Sequence, residues 1–74
     1  MSIVSSTKTR ILKGLADRPM HGYEISKKLK MPISSVYEHL KELREAGLVV
    51  YKESDRRKVY HLTEKGWMLL KVLE

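Results

Sequence analysis

Seventy-four residues suffice for one small domain and are too few for two. The absence of cysteine excludes a disulfide framework and a thiolate metal site, and the longest apolar runs, Leu48 to Tyr51 and Trp67 to Leu70, are too short for a membrane span or a signal-peptide core. Fifteen Lys and Arg against nine Asp and Glu leave a net charge of +6, so a small cytoplasmic domain with a polyanionic partner, most often nucleic acid, is the first expectation.

No repeat or linker interrupts the chain, so residues 1–74 read as one domain with a short tail over 1–6. Ser6 or Thr7 is placed to cap a first helix running to about Ala16, with Ile11, Leu12 and Leu15 on one stripe. Asp17, Arg18 and Pro19 close it, because the residue before a proline resists the helical region. Gly22 marks a second break, and Tyr23 to Lys30 reads as a two-turn helix with Ile25 and Leu29 four residues apart. Pro32 suits the first turn of a third helix, where its missing N–H is no loss.

That third helix, about Ile33 to Ala46, has the clearest period: Ile33, Val36, Leu40 and Leu43 line one face, and Gly47 follows as a left-handed stop. Leu48 to Tyr51 and Lys58 to Leu62 are strand candidates around a polar turn, Lys52 to Arg57. Thr63 then caps a last helix, Glu64 to Leu73. The fold class is mainly α with a small β-hairpin (α+β), in the order helix-helix-helix-strand-strand-helix. That is the winged helix-turn-helix arrangement, whose third helix is free to enter a major groove.

Met20-His21-Gly22-Tyr23-Glu24-Ile25 resembles the stretch that opens the second helix of PadR-type regulators. Ser34-Ser35-Val36-Tyr37, with Leu40, Leu43 and Gly47-Leu48-Val49, resembles their recognition helix and its exit. Asp55-Arg56-Arg57, then Leu62-Thr63-Glu64-Lys65-Gly66, is similar to the wing and following helix of MarR- and PadR-type proteins. The resemblance spans about Thr7 to Leu73. It implies a transcriptional regulator in a minimal version, without the helical dimerisation domain of PadR-type proteins or the long terminal helices of MarR-type ones. It also implies that Asp55 orients Arg57 through an ion pair. Metal-sensing relatives of the ArsR group use clusters of Cys or His and Asp. Here His21, His39 and His61 fall on three different elements, so no metal and no cofactor is expected.

Charge is unevenly spread. Lys8, Arg10 and Lys13 load the first helix, Lys27, Lys28 and Lys30 the second, and Lys52, Arg56, Arg57 and Lys58 the hairpin. The third helix carries more acid than base, with Glu38, Glu42 and Glu45 against Lys41 and Arg44. Flanking cations then hold phosphates while the helix reads base edges. Opposite the core stripe lie Ser34, Glu38 and Lys41, with Ser35 and Tyr37 at the sides, and these five are the candidate reading residues. An ordinary solvated face is the plainer reading of the same pattern. Glu38 repels phosphates unless it accepts from a cytosine amino group.

In the wing, Arg57 is the candidate for a narrow minor groove, leaving Arg56 and Lys58 for phosphates. The competing explanation is a charged turn that blunts a sheet edge. Lys27, Lys28 and Lys30 serve equally as phosphate contacts or as a solvated face. Tyr23, Tyr51 and Tyr60 read as core or rim packing, and His21 as a structural group before Gly22, with a cap or a phosphate contact as its other reading. The last helix is apolar around most of its circumference, so Trp67, Met68, Leu69 and Val72, joined by Ile3 and Val4, form a candidate homodimer interface.

The leading expectation is a sequence-specific, dimeric regulator of double-stranded DNA, a repressor on a pseudo-palindromic site. The alternative is a winged-helix protein–protein adaptor that uses the last helix. No nucleophile–base pair or metal-ligand set is legible, so no enzyme, membrane or metal partner is expected.

Overall fold

The structure, a computed structural model, describes residues 6–73. In chain order it contains α1 (Ser6–Asp17), β1 (Met20–His21), α2 (Gly22–Leu29), α3 (Ile33–Glu45), β2 (Val49–Ser54), β3 (Arg57–Leu62) and α4 (Glu64–Leu73). The mainly α class with a hairpin stands, with two corrections. The sheet has three strands in the order β1-β3-β2, because Met20 and His21 pair antiparallel with Tyr60 and Val59. Two residues between Pro19 and a helix carry no visible period, so this strand has no signature in the sequence. The hairpin is also longer than the apolar runs suggest. β2 continues through Lys52, Glu53 and Ser54, paired with Val59, Lys58 and Arg57. Exposed charged side chains are compatible with a strand that projects from the body of the protein.

Ser54 faces Arg57 across the hairpin, so Asp55 and Arg56 alone make the turn. Both have positive φ, 54° and 65°. That is the type I′ geometry, whose twist matches the two strands and which ordinarily selects Asn-Gly.

The core follows the predicted stripes. Ile11, Leu12 and Leu15 of α1, Ile25 of α2 and Val36, Leu40 and Leu43 of α3 are buried together with Met20, Leu48, Val49, Tyr60 and Leu70. Helix α1 packs against α2, α4 and β3, and α2 packs against α3. Truncating a side chain as enclosed as Leu40 to Ala would cost about 2–5 kcal/mol. Ile33, the first residue of α3, stays largely exposed, so the buried stripe begins at Val36.

The helix ends explain the handover from α3 to α4. Gly47, at φ 77°, lets its own N–H reach Arg44 O at 2.9 Å and that of Leu48 reach Leu43 O at 2.9 Å. These two bonds are the Schellman stop expected of Gly47. Thr63 caps α4 as predicted: its Oγ1 accepts from Gly66 N–H at 3.1 Å and donates to Gly47 O at 2.6 Å. Lys65 Nζ donates to Ala46 O at 3.0 Å. The carbonyls of Ala46 and Gly47, just past the end of α3, are thus satisfied by the cap and first turn of α4, which fixes the two helices to each other.

Candidate nucleic-acid interface

Ser34, Glu38 and Lys41 are exposed along α3, as their spacing from the buried stripe requires, while Ser35 is half-buried at its side. Among the described residues, none of these four enters an ion pair. Tyr37 is 44% exposed, and its ring lies over Gly22 at the start of α2. A Cβ at Gly22 would come 2.5 Å from Tyr37 Cζ, so the position of the Tyr37 ring over the start of α2 depends on that glycine.

The wing meets the helix-turn-helix at His21. The His21 ring caps α2: Nδ1 accepts from Glu24 N–H at 3.2 Å, while Glu24 Oε1 accepts from His21 N–H at 3.2 Å. This is a capping box with histidine in the place usually taken by Ser or Thr. On the far side of the ring, Nε2 lies 3.3 Å from Arg57 Nη1. Arg57 therefore turns to His21 and not to Asp55, correcting the expected ion pair. Asp55 sits in the turn at positive φ, and its exposed side chain faces solvent. The His21 ring also stacks on Tyr23, with centroids 6.2 Å apart and planes inclined at 24°.

His21, Tyr23, Tyr37, Arg56, Arg57 and Lys58 together line a depression of about 410 Å³ between α3 and the wing. Four of the candidate DNA residues, Tyr37, Arg56, Arg57 and Lys58, are brought together there. His21 caps α2, one of the roles open to it in the sequence, while the exposure of Tyr23 was missed. Tyr23 is 54% exposed and carries Lys27 Nζ 5.2 Å from its ring centroid, so it lies at the rim and not in the core. The only signal in the sequence was its place in the stretch that opens α2.

The remaining cations differ in their engagements. Lys28 Nζ pairs with Asp17 at 3.0 Å, and that hydrogen-bonded ammonium holds the Asp17 carboxyl below its ordinary pKa. Lys30 ends α2 in the left-handed conformation, φ 55°. Lys58 Nζ and Arg44 Cζ lie 4.9 and 5.2 Å from the ring centroid of half-buried Tyr51. Tyr51 in turn packs on Tyr60 at 5.6 Å, and burial pushes the Tyr60 hydroxyl above its ordinary pKa. At the other end of α3, Glu42 Oε1 pairs with Lys8 Nζ at 2.7 Å, tying α3 to α1.

On α4, Trp67, Met68 and Val72 are 50, 61 and 78% exposed. Leu69 is half-buried and packs against the core, so it contributes only an edge to that face. Ala46, Leu48, Lys65, Met68, Leu69 and Val72 border an apolar groove of about 720 Å³. Ile3 and Val4 lie outside the described residues.

Three helices, a wing tied to the second helix, and a fourth helix behind them define a winged helix-turn-helix regulator. The chain belongs to the transcriptional regulator PadR-like family, whose pattern matches residues 11–72. Among solved structures it is similar to a mutant ZitR of Lactococcus lactis, with a TM-score of 0.92, 29% identity, and coverage of 99% of this chain and 52% of that one. A RosR-S4 complex matches with a TM-score of 0.91, 25% identity, and coverage of 95% and 67%. BldR from Sulfolobus solfataricus shares the fold, with a TM-score of 0.88, 21% identity, and coverage of 93% and 52%. The chain thus spans about half the length of the ZitR structure it matches. No curated protein matches it in sequence. Among the described residues no helix is long and apolar enough to cross a membrane.

Proposed function

We propose that this protein is a sequence-specific regulator of double-stranded DNA that acts as a repressor. In this reading Ser34, Ser35, Tyr37, Glu38 and Lys41 face the major groove, and Arg56, Arg57 and Lys58 face the flanking minor groove and its phosphates. Lys27 and Lys30 add backbone contacts, and Lys28 a weaker one because Asp17 already holds it. Residues 1–74 act as one reading unit, paired with a second copy through Trp67, Met68, Leu69 and Val72 of α4, with Ile3 and Val4, on a pseudo-palindromic site. The observation that carries the reading is the depression between α3 and the wing, where three cations stand beside an exposed tyrosine at the start of the reading helix.

Selection of bound sequences from a random duplex pool tests it, with mass in solution measured alongside. A two-fold symmetric consensus and a dimer mass are expected. Failure to enrich any sequence would overturn the reading.

A second reading is favoured by the α4 groove: an adaptor that binds another protein there. Competition between specific and random duplexes separates the two, because an adaptor shows no preference.

A further inference from the structure

We propose that His21 and Arg57 jointly hold one phosphate of the DNA backbone, at the seam between the start of α2 and the wing. This rests on the duplex-binding reading above and adds to it a residue outside the reading helix and the wing tip. The hydrogen-bond capacity of the His21 ring is fixed by its cap. His21 Nδ1 accepts from Glu24 N–H at 3.2 Å, so the proton of the neutral imidazole sits on Nε2. Arg57 Nη1 stands 3.3 Å from that Nε2, and a guanidinium carries donors only. Two N–H groups therefore face the same point, and neither accepts from the other. An anionic oxygen at ordinary hydrogen-bond distance from both completes the arrangement.

The surroundings select an anion of the backbone type. Arg56 and Lys58 border the same depression and add positive charge, and Tyr37 forms its wall on the α3 side. The carboxylate within reach is Glu24, whose Oε1 lies 3.4 Å from Nε2. It competes only weakly for the Nε2 N–H, because Oε1 also accepts from the His21 backbone N–H and Oε2 lies 3.5 Å from Arg18 Nη1. Adjacent major and minor grooves are separated by a sugar–phosphate strand, so the seam between a helix in one and a wing in the other faces that strand. His21 occupies this seam because β1 pairs with β3, with His21 opposite Val59.

His21→Asn tests the assignment without removing the cap, since asparagine is among the strongest N-cap residues. Binding to duplexes of every sequence should weaken by roughly tenfold, the loss of one hydrogen bond to a charged group, with the preferred sequence and the thermal midpoint retained. Combined with Arg57→Ala, the loss should fall short of the product of the two single losses. Glu24→Gln keeps the capping pair, removes the competing charge and should tighten duplex binding. Nitrogen resonances of the His21 ring, followed on adding a short random-sequence duplex and separately inorganic phosphate, should show Nε2 moving with the duplex. Movement with inorganic phosphate alone would assign the seat to a free anion and overturn the proposal. Unchanged affinity in His21→Asn, with Lys41→Ala and Ser35→Ala altering binding, overturns the phosphate seat and leaves the regulator reading intact. If none of these variants alters duplex binding, the regulator reading falls with it.

Discussion

Gly22 lies beneath the ring of Tyr37, at a distance that leaves no room for a Cβ. Gly66 of α4 is equally closed, but against the backbone carbonyl of Leu48, which already accepts from Thr63 N–H at 3.1 Å. The two glycines should fail differently. Gly22→Ala displaces the outer end of a side chain that is free to rotate, so duplex affinity should fall while stability changes little. Gly66→Ala meets backbone and should lose about 1–3 kcal/mol of stability, the usual range for overpacking. Chemical denaturation beside duplex titration checks both; equal stability losses would remove the distinction.

The turn residues Asp55 and Arg56 each hold a positive φ that costs an L-residue about 1–2 kcal/mol. Asp55→Asn with Arg56→Gly supplies the residues this turn prefers and should raise the denaturation midpoint. The same pair of changes removes a wing cation, so the salt dependence of duplex binding should become shallower by about 0.9 in log–log slope. A lower midpoint would show that the left-handed conformations are not strained.

Two carboxyls make stability fall in acid. Lys28 lowers the pKa of Asp17, and Lys8 lowers that of Glu42, each mainly through a hydrogen-bonded ammonium. With folded pKa values below the unfolded ones, both contributions are complete above the ordinary carboxylate range of about 4 and are lost as pH falls through the folded values. Both pairs are exposed, so the decline should be small and weaker in salt. Urea midpoints against pH should therefore be flat near neutrality and fall in acid, with a shallower fall in Glu42→Gln. A midpoint that rises on acidification contradicts the assignment.

The exposed face of α4 gives a separable prediction about assembly. Met68 and Val72 contribute little to the monomer core, so Met68→Glu or Val72→Glu should leave the circular dichroism spectrum unchanged. Sedimentation should show the loss of a dimer. A native mass distribution in both variants would move the contact elsewhere.

The helices, their stops and most of the core were legible because burial on one side of a helix leaves a period. Val36, Leu40 and Leu43, the Gly47 stop and the Thr63 cap needed nothing beyond spacing and residue type. What escaped depended on partners distant in sequence. β1 exists only because β3 lies beside it, and the left-handed turn at Asp55 and Arg56 is imposed by strand pairing on residues that do not favour it. Arg57 has an acid two residues away and still turns to a histidine 36 positions earlier. The candidate residues were accordingly legible on α3 and the wing, and the junction between them only as one of the readings open to His21.

In the sheet, β3 is the central strand. It pairs with the outgoing half of the wing on one side and, on the other, with the two residues that open the helix-turn-helix. Alignment and chemistry are thereby assigned to different parts of the molecule. The base of the wing is anchored in register beside the α2 cap, while the two-residue tip has no second partner strand to satisfy. New tip residues change what the wing touches without changing where it begins. Under the proposed function, minor-groove preference can then diverge among related chains, or be grafted by design, without realigning α3 on the major groove.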